Sequence, residues 1–417
     1  MTSNRSRSLA APTVALTVAF VLGSSCGWAQ STSTDAAVAA TKTPVPAATF
    51  SRELLELAFE AASAIPRDTN AKDRARAQEQ VVDALITVRL FGGAERCAAS
   101  IDSWRQGSAY ASLAVAFARE GDARNMDRCA RLATLASADA LDWQRERVSV
   151  KIGSAHAWLG QDALAATRER GVGEPEQGKI AAVRAARAQQ PLSDEAFDAA
   201  LKELDVLVAT KNFDLVRNSS RVYIELYAKS FSVVTRRERI IEGIDRATAL
   251  LSYDLRIENA LGLAEVAIVQ KDNLTAQVHL AQADAVLAQA RWLPIDQIAQ
   301  MARIAACKHD AGAVEQAREQ LDAALVMFDA SREAMTDIER ATPLRALAAA
   351  WADCDERAKA LECYARALTE GASNQNARPR AEDLVATSAS MSVNDIEPSA
   401  AVWLQLRAIR SGLRDPW

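Results

Sequence analysis

Three histidines, His156, His279 and His309, and six cysteines are the entire stock of soft metal ligands and ring-type general bases in this 417-residue chain. A catalytic zinc needs three such ligands converging, commonly at short spacing. None of the histidines lies in an HExxH sequence, and Cys354 and Cys363 are nine positions apart with no second pair. Bundle di-metal sites place Glu-x-x-His on two helices; here Gly153, Ala276 and Ala306 stand three residues before the histidines. There is no P-loop, no GxGxxG and no GxSxG, which removes the standard phosphate cradles and the hydrolase nucleophile elbow. The carboxylates Asp353, Asp355 and Glu356 gather on one turn, which reads as a solvated face. These residues lead to the expectation of no catalytic, no cofactor-binding and no metal-binding residues: a protein that is not an enzyme and needs no cofactor.

The elements that would position any site are helices. About one residue in five is alanine, with only 16 Gly, 11 Pro and 5% aromatics. Alanine loses no side-chain entropy in a helix, whereas Gly and Pro break one. A hydrophobic fraction of 49% supplies a core, and a net charge of −5 argues against a broadly basic nucleic-acid binder.

The first 29 residues have the layout of a secretory signal peptide. Arg5 and Arg7 precede an apolar run from Leu9 to Leu22, and small residues flank Trp28 at Gly27 and Ala29. Fourteen apolar residues cover about 21 Å as a helix, short of a bilayer core. Cys26 after Gly23-Ser24-Ser25 offers a lipid-anchor alternative, weakened because Leu22 lies four rather than three positions before it. Residues 30–50, with Pro44 and Pro46 and no helical stripe, read as a linker. Residues 51–417 read as one helical domain without an integral membrane span, exported to the periplasm or beyond. Cys97 and Cys129 fall on successive expected hairpins; their pairing stays open, and buried thiol is the simpler expectation.

Within 51–417 one unit recurs. Tyr110, Leu113, Ala114 and Phe117 share a helical face, Gly121-Asp122 breaks the helix, and Met126, Ala130 and Ala133 stripe the next. The same layout returns as Ala260, Leu263, Ala264 and Ala267, a break at Lys271, then Ala276, Leu280 and Ala283. It returns again as Leu344, Leu347, Ala348 and Trp351, a break at Cys354-Asp355, then Ala360, Tyr364 and Ala367. Further copies are expected at Val81–Trp104, broken by Gly92-Gly93, at Ser149–Glu169, broken by Gly160, and at Ala302–Ala324, turning near Gly312. This pattern resembles the tetratricopeptide repeat, most closely over Leu344–Leu368. Small residues such as Ala348 and Ala360 let paired helices approach while Trp351 and Tyr364 fill the groove. Neighbouring breaks lie 39–43 residues apart, longer than that family's repeat of about 34.

Residues 171–258 fit the repeat badly but still read as helices, at Lys179–Gln190, Ser193–Thr210 and Arg236–Leu251. The arginines 236, 237 and 239 are expected to pair with Glu238 and Glu242 along their own helix. Arg378–Arg380 reads as a loop, and Ser399–Ser411 as a C-terminal capping helix over the exposed edge of the array. The fold class is therefore all-α: a helical-hairpin array, an α-solenoid with diverged repeats, a compact bundle being the other arrangement compatible with the pattern. The resemblance implies a bacterial interaction scaffold that holds a protein, peptide or envelope component. The alternative is a helical enzyme or carbohydrate-active accessory protein with a pocket drawn from distant residues, for which the eight tryptophans are the motive.

Overall fold

The computed structural model describes residues 49–172, 180, 183 and 192–417. The expected signal peptide, nearly all of the expected linker and most of the expected helix Lys179–Gln190 lie outside the described residues. Among the described residues the chain is helical with no strand. The helices in order are α1 (Thr49–Ala64), α2 (Arg67–Thr87), α3 (Phe91–Ala99), α4 (Trp104–Arg119), α5 (Ala123–Ala136), α6 (Asp142–Trp158) and α7 (Asp162–Arg170). After the break come α8 (Asp194–Ala209), α9 (Phe213–Ser230), α10 (Val234–Thr248), α11 (Tyr253–Val269) and α12 (Asn273–Gln289). The chain finishes with α13 (Pro294–Asp310), α14 (Val314–Ser331), α15 (Ala341–Asp353), α16 (Arg357–Ala372), α17 (Ala377–Val393) and α18 (Ala400–Ser411).

One turn chemistry builds the hairpins. Gly121, Gly160, Lys271, Gly312 and Asp355 all have left-handed φ, between 60° and 82°. Each is followed by an N–H that reaches back to the carbonyl five residues earlier, as in Asp122 to Phe117 and Glu356 to Trp351, both 2.9 Å. This Schellman closure satisfies carbonyls that the ending helix leaves orphaned. Arg89 and Asp395 make the same turn. Asp122 and Asp272 then cap the next helix, accepting from Asn125 N and Thr275 N at 3.0 Å. Gly92-Gly93, expected as the break in the first copy, instead lies in the first turn of α3; the break is one turn earlier, at Arg89. Arg378–Arg380 is likewise no loop but the first turn of α17, where the missing N–H of Pro379 costs nothing.

Packing within a hairpin follows the expected stripes. Ala348, Ala360, Trp351 and Tyr364 are all fully buried between α15 and α16, and Tyr364 Oη lies 2.8 Å from Ser390 Oγ of α17. In the α4–α5 pair Gly107 is required by close approach: a Cβ there would lie 2.8 Å from the Ala133 carbonyl oxygen. From hairpin to hairpin the first helices pack on one another, α2 on α4, α4 on α6, α9 on α11, then α11, α13, α15 and α17 in turn. The second helices mostly touch the next first helix instead. The first helices therefore line the inside of the curvature and the second helices the outside. The basic run in α10 pairs between helices rather than along its own. Arg236 and Arg239 meet Asp194 and Asp198 of α8, the latter at 2.7 Å, and Arg237 lies 3.6 Å from Asp272.

The two ends of the described chain meet. α1 packs along α17 and α2, and α17 also packs on α2. Arg76 binds Glu382 at 2.9 Å, Arg378 lies 3.3 Å from Asp73, and Arg410 lies 3.6 Å from Glu60. α1 takes the place beside α17 that an outer helix takes in the other hairpins. Leu54, Leu55 and Ala58 of α1 thereby enter the same core as Leu384 and Val385. An open array whose last helix covers a bare edge was the expectation; α18 instead lies against α16, α17 and α1. There α1 and α2 pack on α17, an apolar cover that is better than water. Between residue 172 and α8 only Ile180, Val183, Leu192 and Ser193 are described.

Candidate inner-wall site

The inner wall is a set of helix faces that the repeat pattern leaves unused. In α4, Tyr110, Leu113, Ala114 and Phe117 face α5, so the opposite face carries Trp104, Ser108, Ser112, Val115 and Arg119. The same geometry puts Lys151 and Trp158 of α6 and Asp83 of α2 on the inside. Four carboxyls at such positions, Asp83, Glu225, Glu265 and Glu382, lie on four different helices. All are pushed up in pKa chiefly by desolvation, although none is sealed from solvent. That combination is what a concave wall produces: a group open to solvent on one side and crowded by protein on all others.

The densest cluster spans α2, α4 and α6. Lys151 Nζ donates to Ser108 Oγ and Ser112 Oγ, both at 2.8 Å, and lies 4.0 Å from Glu79. It reaches Glu79 across α4 because the two intervening side chains are serines. Glu79 is nearly buried and also holds Arg105. Asp83 is exposed, yet desolvation pushes its carboxyl up to about 6, against the opposing pull of the Lys151 ammonium and the Ser112 hydroxyl. Tryptophans flank the cluster. At one end Trp104 and Trp143 meet edge to face at 5.4 Å, with Arg147 5.3 Å above the Trp143 ring. At the other, Arg119 lies 5.4 Å over Trp158.

Asp83 gives a test of this reading. Its proton is held more tightly in the folded than in the unfolded chain, so stability is fullest below about pH 4 and declines as pH rises through about 6. Solvent access screens the effect in an exposed carboxyl, leaving about 1 kcal/mol. Asp83→Asn is therefore expected to stabilise by about 1 kcal/mol at pH 8 and not at pH 4. Urea melts at the two pH values decide it; an equal effect at both would contradict the crowded-wall assignment.

No residue of this cluster was singled out from the sequence except Trp104, Trp143 and Trp158, as three of several tryptophans. Helical spacing marks the α4 face only as polar, and the partners come from three helices. The singled-out histidines do not converge. His156 is buried in α6 with Nδ1 2.6 Å from Gln161 Oε1, His279 is buried near Tyr227, and His309 sits in the last turn of α13. Among the described residues no group of three or more His, Cys, Asp or Glu is arranged to hold a metal ion. Cys97 and Cys129 are not joined, and Cys97, Cys129, Cys307, Cys354 and Cys363 are free thiols whose pKa desolvation raises. Glu356 of the turn cluster is bound to Arg318 at 2.8 Å. Among the described residues no helix is long and apolar enough to cross a membrane. No family model matches this chain, and no curated protein is significantly similar to it.

Proposed function

We propose that this chain is an exported, non-catalytic scaffold of the tetratricopeptide type that holds a protein or an envelope component on the inside of its curved helical array. The observation that carries the reading is the inner wall itself. Consecutive first helices present solvent-reachable charged groups to one concavity, whereas the outer helices carry ion pairs with one another, such as Lys359 with Asp322, and exposed apolar residues such as Leu274 and Val278, 78% and 58% exposed. Stacked helix pairs use such concave surfaces for extended ligands, and the step from architecture to function is an analogy. The layout of residues 1–29 supports export, with a mature start near Gln30, which N-terminal sequencing of the native protein tests.

Affinity capture from the native envelope tests the scaffold. The paired variant Glu225→Gln with Glu265→Gln is expected to lose the partner that wild type retains, while Leu274→Ala with Val278→Ala keeps it. The opposite result would place binding on the outer face and end the proposal. A second reading, a carbohydrate-active enzyme, is favoured by one observation. Glu79, held by Arg105, and Asp83, raised toward neutrality, stand one helical turn apart between tryptophans, and carboxylates with divergent environments are what acid–base work on sugars uses.

A further inference from the structure

We propose that the inner wall formed by α2, α4 and α6 is a binding site for an acidic glycan, a chain of sugars bearing carboxylates. The inference rests on the inner wall being the binding surface. Its first support is charge. Arg119 and Arg147 project from the inner faces of α4 and α6, are exposed, and have no acidic partner among the described residues. With Lys151 and Arg105 they outnumber the acids of this wall, Glu79 and Asp83, in a chain whose net charge is −5. A guanidinium presents a planar fork that matches a carboxylate, and stacking on an indole holds that fork in place before the ligand arrives. Arg119 on Trp158 and Arg147 on Trp143 are both stacked in this way.

The second support is the alternation of apolar planes and hydroxyl partners. Trp143 is 50% exposed and offers a broad face to the apolar side of a sugar ring. Ser112 and Asp83 lie further along the same wall as groups that accept and donate to hydroxyls. From Trp104 to Arg119 the face runs about 22 Å, long enough for several sugar units. The same hydroxyl and carboxyl groups would also pair with a peptide backbone, so the assignment to an acidic glycan rests on the indole-held guanidinium forks and the exposed Trp143 face.

Isothermal titration of the mature chain with a galacturonic acid hexamer tests the assignment, with a neutral glucose hexamer and a hexaglutamate peptide as comparisons. The uronate is expected to bind, about tenfold or more tighter than either comparison, and to weaken as salt rises. Arg119→Ala, Arg147→Ala and Trp143→Ala are each expected to cost about tenfold in affinity with an unchanged melting curve. Equal affinity for the neutral chain or the peptide, unaltered binding by the three variants, or no uronate binding at all would each overturn the proposal. If the uronate fails while Glu225→Gln with Glu265→Gln still releases a captured partner, the glycan falls and the inner-wall reading stands. If the outer-face pair releases the partner, the reading beneath the proposal falls as well.

Discussion

Deleting residues 1–64 is expected to loosen the junction of α17 with the N-terminal helices and abolish cooperative folding of the flanking hairpins. The deletion removes α1, whose Leu54, Leu55, Ala58, Ala61 and Ala62 are fully buried, and bares the matching face of α17. Truncating one buried leucine costs about 2–5 kcal/mol, so losing the whole helix rivals the roughly 5–15 kcal/mol that holds a typical domain together. Because a loss of that size takes the whole fold with it, the single changes Leu54→Ala and Leu55→Ala provide the graded measurement, each expected to cost about 3 kcal/mol. A synthetic helix of residues 49–64 added in trans is expected to restore the melting transition of the truncated chain. Small-angle scattering supplies the second readout: a chain whose two ends have parted has a larger radius of gyration. A truncated chain with unchanged radius and melting curve would mean that α1 does not close the array.

Trp351→Ala is expected to destabilise by about 4 kcal/mol, among the largest effects of any single substitution here. The indole is fully buried at the α15–α16 contact, and Lys359 Nζ stands 4.0 Å from its ring centroid. Removing it leaves a cavity that the neighbouring rigid helices cannot collapse into, which is why large-to-small changes cost more than the transfer of the lost atoms. Trp351 Nε1 has no hydrogen-bond partner, so Trp351→Phe loses apolar contact but no polar pairing and is expected to cost about half as much. Chemical denaturation of both variants makes the comparison. Equal, small losses would show that the α15–α16 groove is less tightly filled than its burial indicates.

The hairpins were legible because their signals are local. An i, i+3, i+4, i+7 stripe describes one face of one helix, and a Gly or polar residue that ends the stripe describes one turn. Gly121, Gly160, Lys271, Gly312 and Asp355 were readable as breaks for that reason, and all five have positive φ. The helix expected from Ser193 is α8, and the Ser193 hydroxyl caps it by accepting from Ala196 N. Gly92-Gly93 misled because glycine also fits the first turn of a helix, and Pro379 misled because proline does too. The run at Arg236–Arg239 misled for another reason. Its acids at short spacing are outcompeted by Asp194 and Asp198, which sequence places some forty residues away and packing places alongside.

Sequence alone determined that this chain is all-helical, that its helices come in pairs, and which residues, such as Ala348, Ala360, Trp351 and Tyr364, meet inside a pair. Those properties depend on backbone preference and on contacts between residues a few turns apart, which composition and spacing encode directly. Only the tertiary structure decided that α1 closes on α17 and that Asp83, Ser112 and Lys151 come together on one inner wall. The packing of α1 on α17 joins opposite ends of the described chain, and no single repeat encodes it. The wall is assembled from the faces that the repeat pattern does not constrain, so their neighbours are set by curvature and not by spacing along the chain.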